Sequence, residues 1–167
     1  MEAQPVLNCS DLQQIALCQL LHRFHLSLAC VAKQSMIPGS FFGDREAGLI
    51  DNTLYYRLDT PVHSVLHEAG HYICMSPERR QHLNTDAAGD YAEENGVCYL
   101  QILLAAQLPG IGQERMMQDM DSWGYSFRLG SAHAWFTHDA EDALAWLQRY
   151  RLVDKKSQLL FRCRGEL

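Results

Sequence analysis

Residues 60–77 read TPVHSVLHEAGHYICMSP, and the segment His67-Glu68-Ala69-Gly70-His71 within them is the most informative part of the chain. Two histidines four residues apart lie on the same side of an α-helix, so both imidazoles can bind one Zn²⁺ ion. The glutamate between them lies at the edge of that face, where it can act as a general base. The segment therefore predicts a metal-binding helix with a catalytic carboxylate, Glu68, beside its ligands His67 and His71.

The flanking residues predict the ends of this helix. Thr60 is a suitable N-cap, and Pro61 suits the first helical position because the N–H that proline lacks would be unpaired there. Ser76-Pro77 interrupts the pattern about four turns later. Ala69 and Gly70 are small, which allows a neighbouring strand or helix to approach the metal side closely.

Two further residues share the ligand face of the predicted helix. His63 lies one turn before His67, and because two histidines, a glutamate and water complete a tetrahedral zinc site, we expect His63 to support the site or contact substrate. Cys74 lies one turn beyond His71. We expect Cys74 to be a buried packing residue, with contact to the metal as the alternative.

The third ligand is expected on the next long apolar segment. Residues 86–107 predict a helix that begins near residues 84–85 and ends at Pro109-Gly110. Glu93 shares a stripe with apolar residues and should point inward, where a metal would offset the cost of burying a carboxylate. We therefore predict Glu93 as the third ligand and keep Glu94, on a more polar face, as the alternative. The competing interpretation of Glu93 is a carboxylate stabilised by the helix dipole or by a nearby arginine.

The histidine motif followed by a helical Glu93 resembles the gluzincin-type metallopeptidases, and among them the small ImmA/IrrE-type proteins. In that likeness, a strand at residues 48–56 leads into the HExxH helix, and residues 93–100 match the ligand helix. The resemblance covers roughly residues 45–107, and Gly96 stands where the family usually has alanine. It implies a zincin-like fold, a zinc cofactor and peptidase activity.

A zinc hydrolase also needs a group that stabilises the oxyanion of the transition state. The candidates are Tyr125, Arg128 and His133, which fall in one aromatic, glycine-broken segment that could fold over the site. The alternative for each is a packed tyrosine or a surface cation.

Composition predicts a single intracellular domain. The chain has 167 residues, 47% hydrophobic and 20% charged, which is enough for one domain spanning residues 1–167 with a core around a site. A net charge of −6 argues against nucleic acid as a partner, and the apolar runs are too short to span a membrane. Neither a secretion signal nor a Cys-x-x-Cys pair is present, so we expect a cytoplasmic protein whose six cysteines are reduced.

The remaining segments predict a scaffold of helices and a few strands. We expect helices over residues 10–24, with Leu12, Ile15, Ala16, Leu20 and Phe24 inward, over residues 114–121, and after Thr137 or Asp139. We expect strands at residues 25–31 and 48–58, and strand character at residues 123–130. The prediction is an α+β fold, mostly helical, with a small sheet against the zinc helix.

Together these observations predict a cytoplasmic zinc-dependent hydrolase that acts on a peptide or protein substrate, with His67, His71 and Glu93 as ligands and Glu68 activating the water. A non-catalytic metal-binding or protein-interaction module is the main alternative. A helical protein without a metal is the third interpretation, and it requires the histidine motif to be a coincidence. The oligomeric state is left open by the sequence.

Overall fold

The computed structural model describes residues 4–167, which form an α+β fold that is mainly helical, as predicted. The α-helices within this range are α1 (Gln14–His22), α2 (Val62–Cys74), α3 (Pro77–Arg80), α4 (Tyr91–Ala105), α5 (Gly112–Trp123), α6 (Ala132–His138) and α7 (Glu141–Arg149). The strands are β1 (Ser27–Cys30), β2 (Gly48–Ile50) and β3 (Thr53–Tyr56).

The three strands form a mixed sheet in the order β1-β3-β2. β1 runs parallel to β3, whereas β2 and β3 form an antiparallel hairpin that pairs Ile50 with Thr53. The single strand predicted over residues 48–56 is therefore wrong. Asp51 adopts a left-handed φ of 52°, and the turn that it makes divides the segment into two strands.

The outer edge of β2 is covered by two loops. Ser40 forms an antiparallel bridge with Gly48, and the Leu49 N–H donates to the carbonyl of Gly39 at 3.3 Å. From the other loop, the Thr85 N–H donates to the carbonyl of Leu49 at 2.8 Å. The backbone groups of this edge are thereby paired within the protein itself.

Helix α2 occupies the centre of the fold, with the sheet on one side and α4 on the other. Gly70 permits the close approach of α4, because a Cβ atom there would lie 3.0 Å from Val97 Cγ1. The predicted role of this small residue is therefore confirmed. The cap differs by one residue: Pro61 is the N-cap, and the Thr60 hydroxyl accepts from the Arg57 N–H instead.

Helix α4 begins later than predicted. Its N-cap is Asp90, whose carboxylate accepts a hydrogen bond from the Glu93 N–H at 2.9 Å. Ala88 and Gly89 before it have φ values of 52° and 112°, which exclude them from a helix. Residues 84–90 thus form a loop that lines the site instead of the first turns of the helix.

Three other predictions needed correction. Helix α1 is shorter than residues 10–24, and Ile15, predicted to face the core, is 65% exposed. Residues 123–130 contain no strand, because Gly124 ends α5 in the left-handed conformation and a 3₁₀ turn follows at Arg128–Gly130. Helix α6 was not predicted. Among residues 4–167, no helix has the length and apolar character needed to cross a membrane.

Candidate metal centre

The side chains of His67, His71 and Glu94 converge between α2 and α4. His67 Nε2 lies 3.1 Å from Glu94 Oε1, and His71 Nε2 lies 3.3 Å from Glu94 Oε2. Two ligand atoms of a tetrahedral zinc ion, each bonded at about 2.0 Å, are about 3.3 Å apart. The observed separations therefore fit donors that share one small cation.

The hydrogen bonds of Gln101 fix the orientation of His67. The Gln101 amide NH₂ donates to the carbonyl of His63 at 2.9 Å, so its Oε1 atom is the acceptor that faces His67 Nδ1, 3.0 Å away. Nδ1 of His67 must then carry a proton, and Nε2, which faces Glu94, is the ring nitrogen that can bind a metal once it has given up its own proton. Metal-binding histidines show the same arrangement, in which a partner accepts from the N–H of the other ring nitrogen.

Glu93, predicted as the third ligand, lies elsewhere. Its side chain is buried, as predicted, but it accepts two hydrogen bonds from Arg79 Nη1 at 2.9 and 3.1 Å and lies 3.6 Å from Arg164 Nη1. The nearby arginine weighed as the alternative for Glu93 is thus present. The structure brings Glu94, not Glu93, to the two histidines.

The pKa values of the two histidines at the centre are shifted in opposite directions. Burial disfavours a charged His67, but its contacts with Tyr125, Cys98 and Glu94 outweigh burial and hold its pKa well above the ordinary value. Burial, together with the neighbouring His67, lowers the pKa of His71 to about 4. Without a metal, the carboxylate of Glu94 therefore faces one protonated and one neutral imidazole, and a bound cation would take the place of the proton on His67 Nε2.

Glu68 lies beside this cluster on α2. Burial raises the pKa of its carboxyl to about 7, a value that suits a group taking and returning protons near neutrality. Its side chain lines the same cavities as His67 and Glu94. The arrangement predicted for this helix, with two histidines on one face and a glutamate beside them, is therefore present in the fold.

An open groove crosses the centre in two parts. Each part has a volume of about 350 Å³, and both are lined by Phe42, His67, Glu68 and Glu94. One part continues along the loop of residues 85–89, and the other along Glu46 and residues 123–125. Within residues 4–167, the groove is lined by acidic residues, histidines and Tyr125 but by no lysine or arginine, and Phe42 at its edge is 72% exposed.

The three predicted oxyanion-stabilising residues occupy different positions. Tyr125 packs edge-on against His67, and burial raises its pKa to about 12. Its hydroxyl lies 3.2 Å from His63 Nδ1 and 3.4 Å from Gln101 Nε2, so Tyr125 joins the network that supports His67 and also lines the groove. Arg128 is 59% exposed and paired with Asp139, although it lines a small cavity next to Glu94. His133 is an exposed residue of α6.

His63 supports the centre from behind. It is buried, and burial lowers its pKa to about 3, so that it is neutral. Its ring packs against Trp123 and Tyr125, and its backbone carbonyl holds the Gln101 amide. This position agrees with the supporting role expected for His63.

A cysteine also faces the centre, but it is Cys98 and not Cys74. Ligand atoms of His67, Glu94 and Cys98 all lie within 4.8 Å of one another. Cys74 is fully buried, as expected of a packing residue. Cys98 lies one turn after Glu94 on α4, and this spacing is the sequence signal that could have placed Cys98 near the histidines.

Comparisons with protein-family models, with curated proteins and with solved structures gave no match to this chain. The gluzincin resemblance therefore rests on the residues quoted from the sequence and remains a prediction.

Proposed function

We propose that the protein is a zinc-dependent hydrolase of zincin-like fold that cleaves peptide bonds. His67, His71 and Glu94 would hold the ion. The observation that carries this proposal is the convergence of both histidine Nε2 atoms on the two oxygens of Glu94, at 3.1 and 3.3 Å. Imidazole and carboxylate ligation suits zinc among the divalent metals. The ion, when bound, would lower the pKa of a water molecule and polarise the substrate carbonyl.

Glu68 supports the catalytic form of this proposal. It is 7% exposed, lines the groove, and has a pKa of about 7, so it can take a proton from the attacking water and deliver it to the leaving amine. Gln101, whose amide is held by the carbonyl of His63, keeps Nδ1 of His67 protonated, so Nε2 is the ring nitrogen that would bind the ion. The groove extends to both sides of the centre, which suits an extended chain with residues on each side of the scissile bond.

The non-catalytic metal-binding module is the second candidate, and one observation favours it. The ligand atoms of Cys98, His67 and Glu94 lie within 4.8 Å of one another, and together with His71, which contacts Glu94, these residues would supply four protein ligands. Structural zinc sites have four protein ligands and no open position, whereas catalytic sites keep one position for water or substrate.

Replacing Glu68 with glutamine distinguishes the two candidates. Glutamine keeps the size of the side chain but cannot accept the proton, so Glu68→Gln should retain zinc and melting temperature while peptide hydrolysis falls by on the order of a hundredfold or more. The measurement is mass-spectrometric detection of cleavage in a mixed peptide library, with zinc content determined on the same samples. Glu78→Gln, on exposed α3, is the matched control and should behave as wild type.

A wild-type protein that binds zinc and cleaves no peptide of the library would refute the peptidase proposal and favour the structural module. Equal hydrolysis by the wild type and Glu68→Gln would remove Glu68 from the reaction. Loss of zinc in Glu68→Gln would instead assign this residue to the ligand set.

A further inference from the structure

Cys98 is the one thiol placed to act at the metal centre among the residues that the structure describes. It lies on α4, four residues after Glu94 and three before Gln101, so the three side chains form one row along the helix. Glu94 and Gln101 in this row both contact His67. Cys98 therefore lies on α4 between Glu94, which contacts His67 Nε2, and Gln101, which contacts His67 Nδ1.

The separation of the ligand atoms suits a shared tetrahedral ion. A zinc–sulfur bond of about 2.3 Å and a zinc–nitrogen bond of about 2.0 Å place sulfur and nitrogen about 3.5 Å apart. The thiol of Cys98 lies within 4.8 Å of the ligand atoms of His67 and Glu94, so these separations exceed the bonded value by no more than about 1.3 Å. Rotation about the Cα–Cβ bond of a cysteine moves its sulfur by more than this. His71 is outside this group of three and joins the set through its contact with Glu94 at 3.3 Å.

The surroundings of the thiol also fit a ligand role. Cys98 is 6% exposed, and it lines a cavity of about 200 Å³ together with Glu94, Tyr125 and Arg128. This cavity shares Glu94 with both parts of the groove and Tyr125 with one of them. The other buried cysteine near the centre in sequence, Cys74, is outside the ligand group.

We infer that Cys98 is the fourth ligand of the resting metal centre and competes with water for that position. This inference rests on the proposed metal site of His67, His71 and Glu94. On binding, the thiol loses its proton to solvent and the sulfur binds the ion as a thiolate. Water or substrate enters only when the sulfur leaves, so Cys98 controls whether the site is closed or open.

The test uses the purified full-length protein loaded with Co²⁺ as a spectroscopic substitute for zinc. A cobalt–thiolate bond gives an intense charge-transfer absorption in the near ultraviolet, which nitrogen and oxygen ligands do not give. Wild type should show this band, Cys98→Ala should lose it, and Cys74→Ala should retain it. X-ray absorption of the zinc-loaded protein should show one sulfur at about 2.3 Å in wild type and none in Cys98→Ala.

The variants must be shown to be folded, so the melting temperature of each is measured without metal. Cobalt bound in a His67-dependent manner but without the thiolate band would overturn the role of Cys98 and leave the three-ligand site in place. Loss of the band in Cys74→Ala, with the band retained in Cys98→Ala, would show that Cys74 on α2 supplies the sulfur. This result would also overturn the role of Cys98. Metal binding that His67→Ala does not weaken would remove the proposed centre itself, and the function proposed on it.

Discussion

The adjacent glutamates Glu93 and Glu94 should respond in opposite ways to the same substitution. Glu94 contacts both histidines, whereas Glu93 is held by Arg79 and Arg164 away from them. Glu94→Gln should therefore weaken metal binding, and because the Glu94 side chain is 46% exposed it should lower the stability of the metal-free protein less than Glu93→Gln does. Glu93→Gln should lower stability and leave metal affinity close to that of wild type.

The size of each effect follows from the surroundings of the carboxylate. Breaking a buried ion pair costs roughly 3–5 kcal/mol, and because the Arg79 side chain is 33% exposed and can turn to solvent, we expect about 2–3 kcal/mol for Glu93→Gln. For a chain of this size the melting temperature should fall by roughly 4–12 °C. Loss of the Glu94 ligand should exceed the roughly 10–100-fold effect of losing an outer partner, so affinity should fall about 100-fold or more.

Thermal melting with and without zinc measures both effects. At a zinc concentration of about 100 times the wild-type Kd, bound metal stabilises the wild type by about 2.7 kcal/mol, whereas a variant with 100-fold weaker binding gains only about 0.4 kcal/mol. Isothermal titration gives the affinities directly, and chelation should reverse the zinc-induced stabilisation. If Glu93→Gln abolished the zinc-induced rise in melting temperature and Glu94→Gln preserved it, the assignment of Glu94 as ligand would be refuted.

Two further substitutions test the parts of the fold that support the centre. Gln101→Leu removes the acceptor that faces His67 Nδ1, so zinc affinity measured by titration should fall about 10–100-fold. An unchanged affinity would show that Gln101 does not orient His67. Gly96→Ala would place a Cβ atom 2.8 Å from the Trp146 ring, so chemical denaturation should show a loss of about 1–3 kcal/mol; an equally stable variant would mean that α7 can shift away from α4 at no cost.

The sequence predicted the HExxH helix well because the information for it is local. Histidine spacing, an apolar opposite face and the ending at Ser76-Pro77 all lie within one segment, and the structure has α2 at Val62–Cys74. Gly96 illustrates what was not local. The sequence shows a glycine where the gluzincin-type proteins that the chain resembles usually have alanine. The reason is visible only in the structure, because a Cβ atom at Gly96 would contact the ring of Trp146 on α7.

The choice between Glu93 and Glu94 failed for a similar reason. Amphipathic analysis assumes one buried face, but α4 is packed against α2, α5 and α7, so both its apolar stripe and its polar side are covered. The inward-pointing carboxylate of Glu93 pairs with Arg79 on α3 and lies near Arg164 in the C-terminal segment. Gln101, fully buried on the supposedly polar side, contacts His67. The sequence signal that could have reversed the choice was a lone glutamine within an apolar run, two turns after Glu94 on the same side of the helix.

The covered edge of β2 limits how an inhibitor of the proposed hydrolase could bind. Many proteases are blocked by extended peptidomimetics whose backbone joins an exposed strand of the enzyme. Here Gly39, Ser40 and Thr85 already pair with that strand, so a backbone mimic would have to displace three internal contacts before gaining its own. A compact molecule that carries a metal-binding group and an aromatic arm towards Phe42 meets no such competition, and this makes side-chain recognition the better basis for inhibitor design.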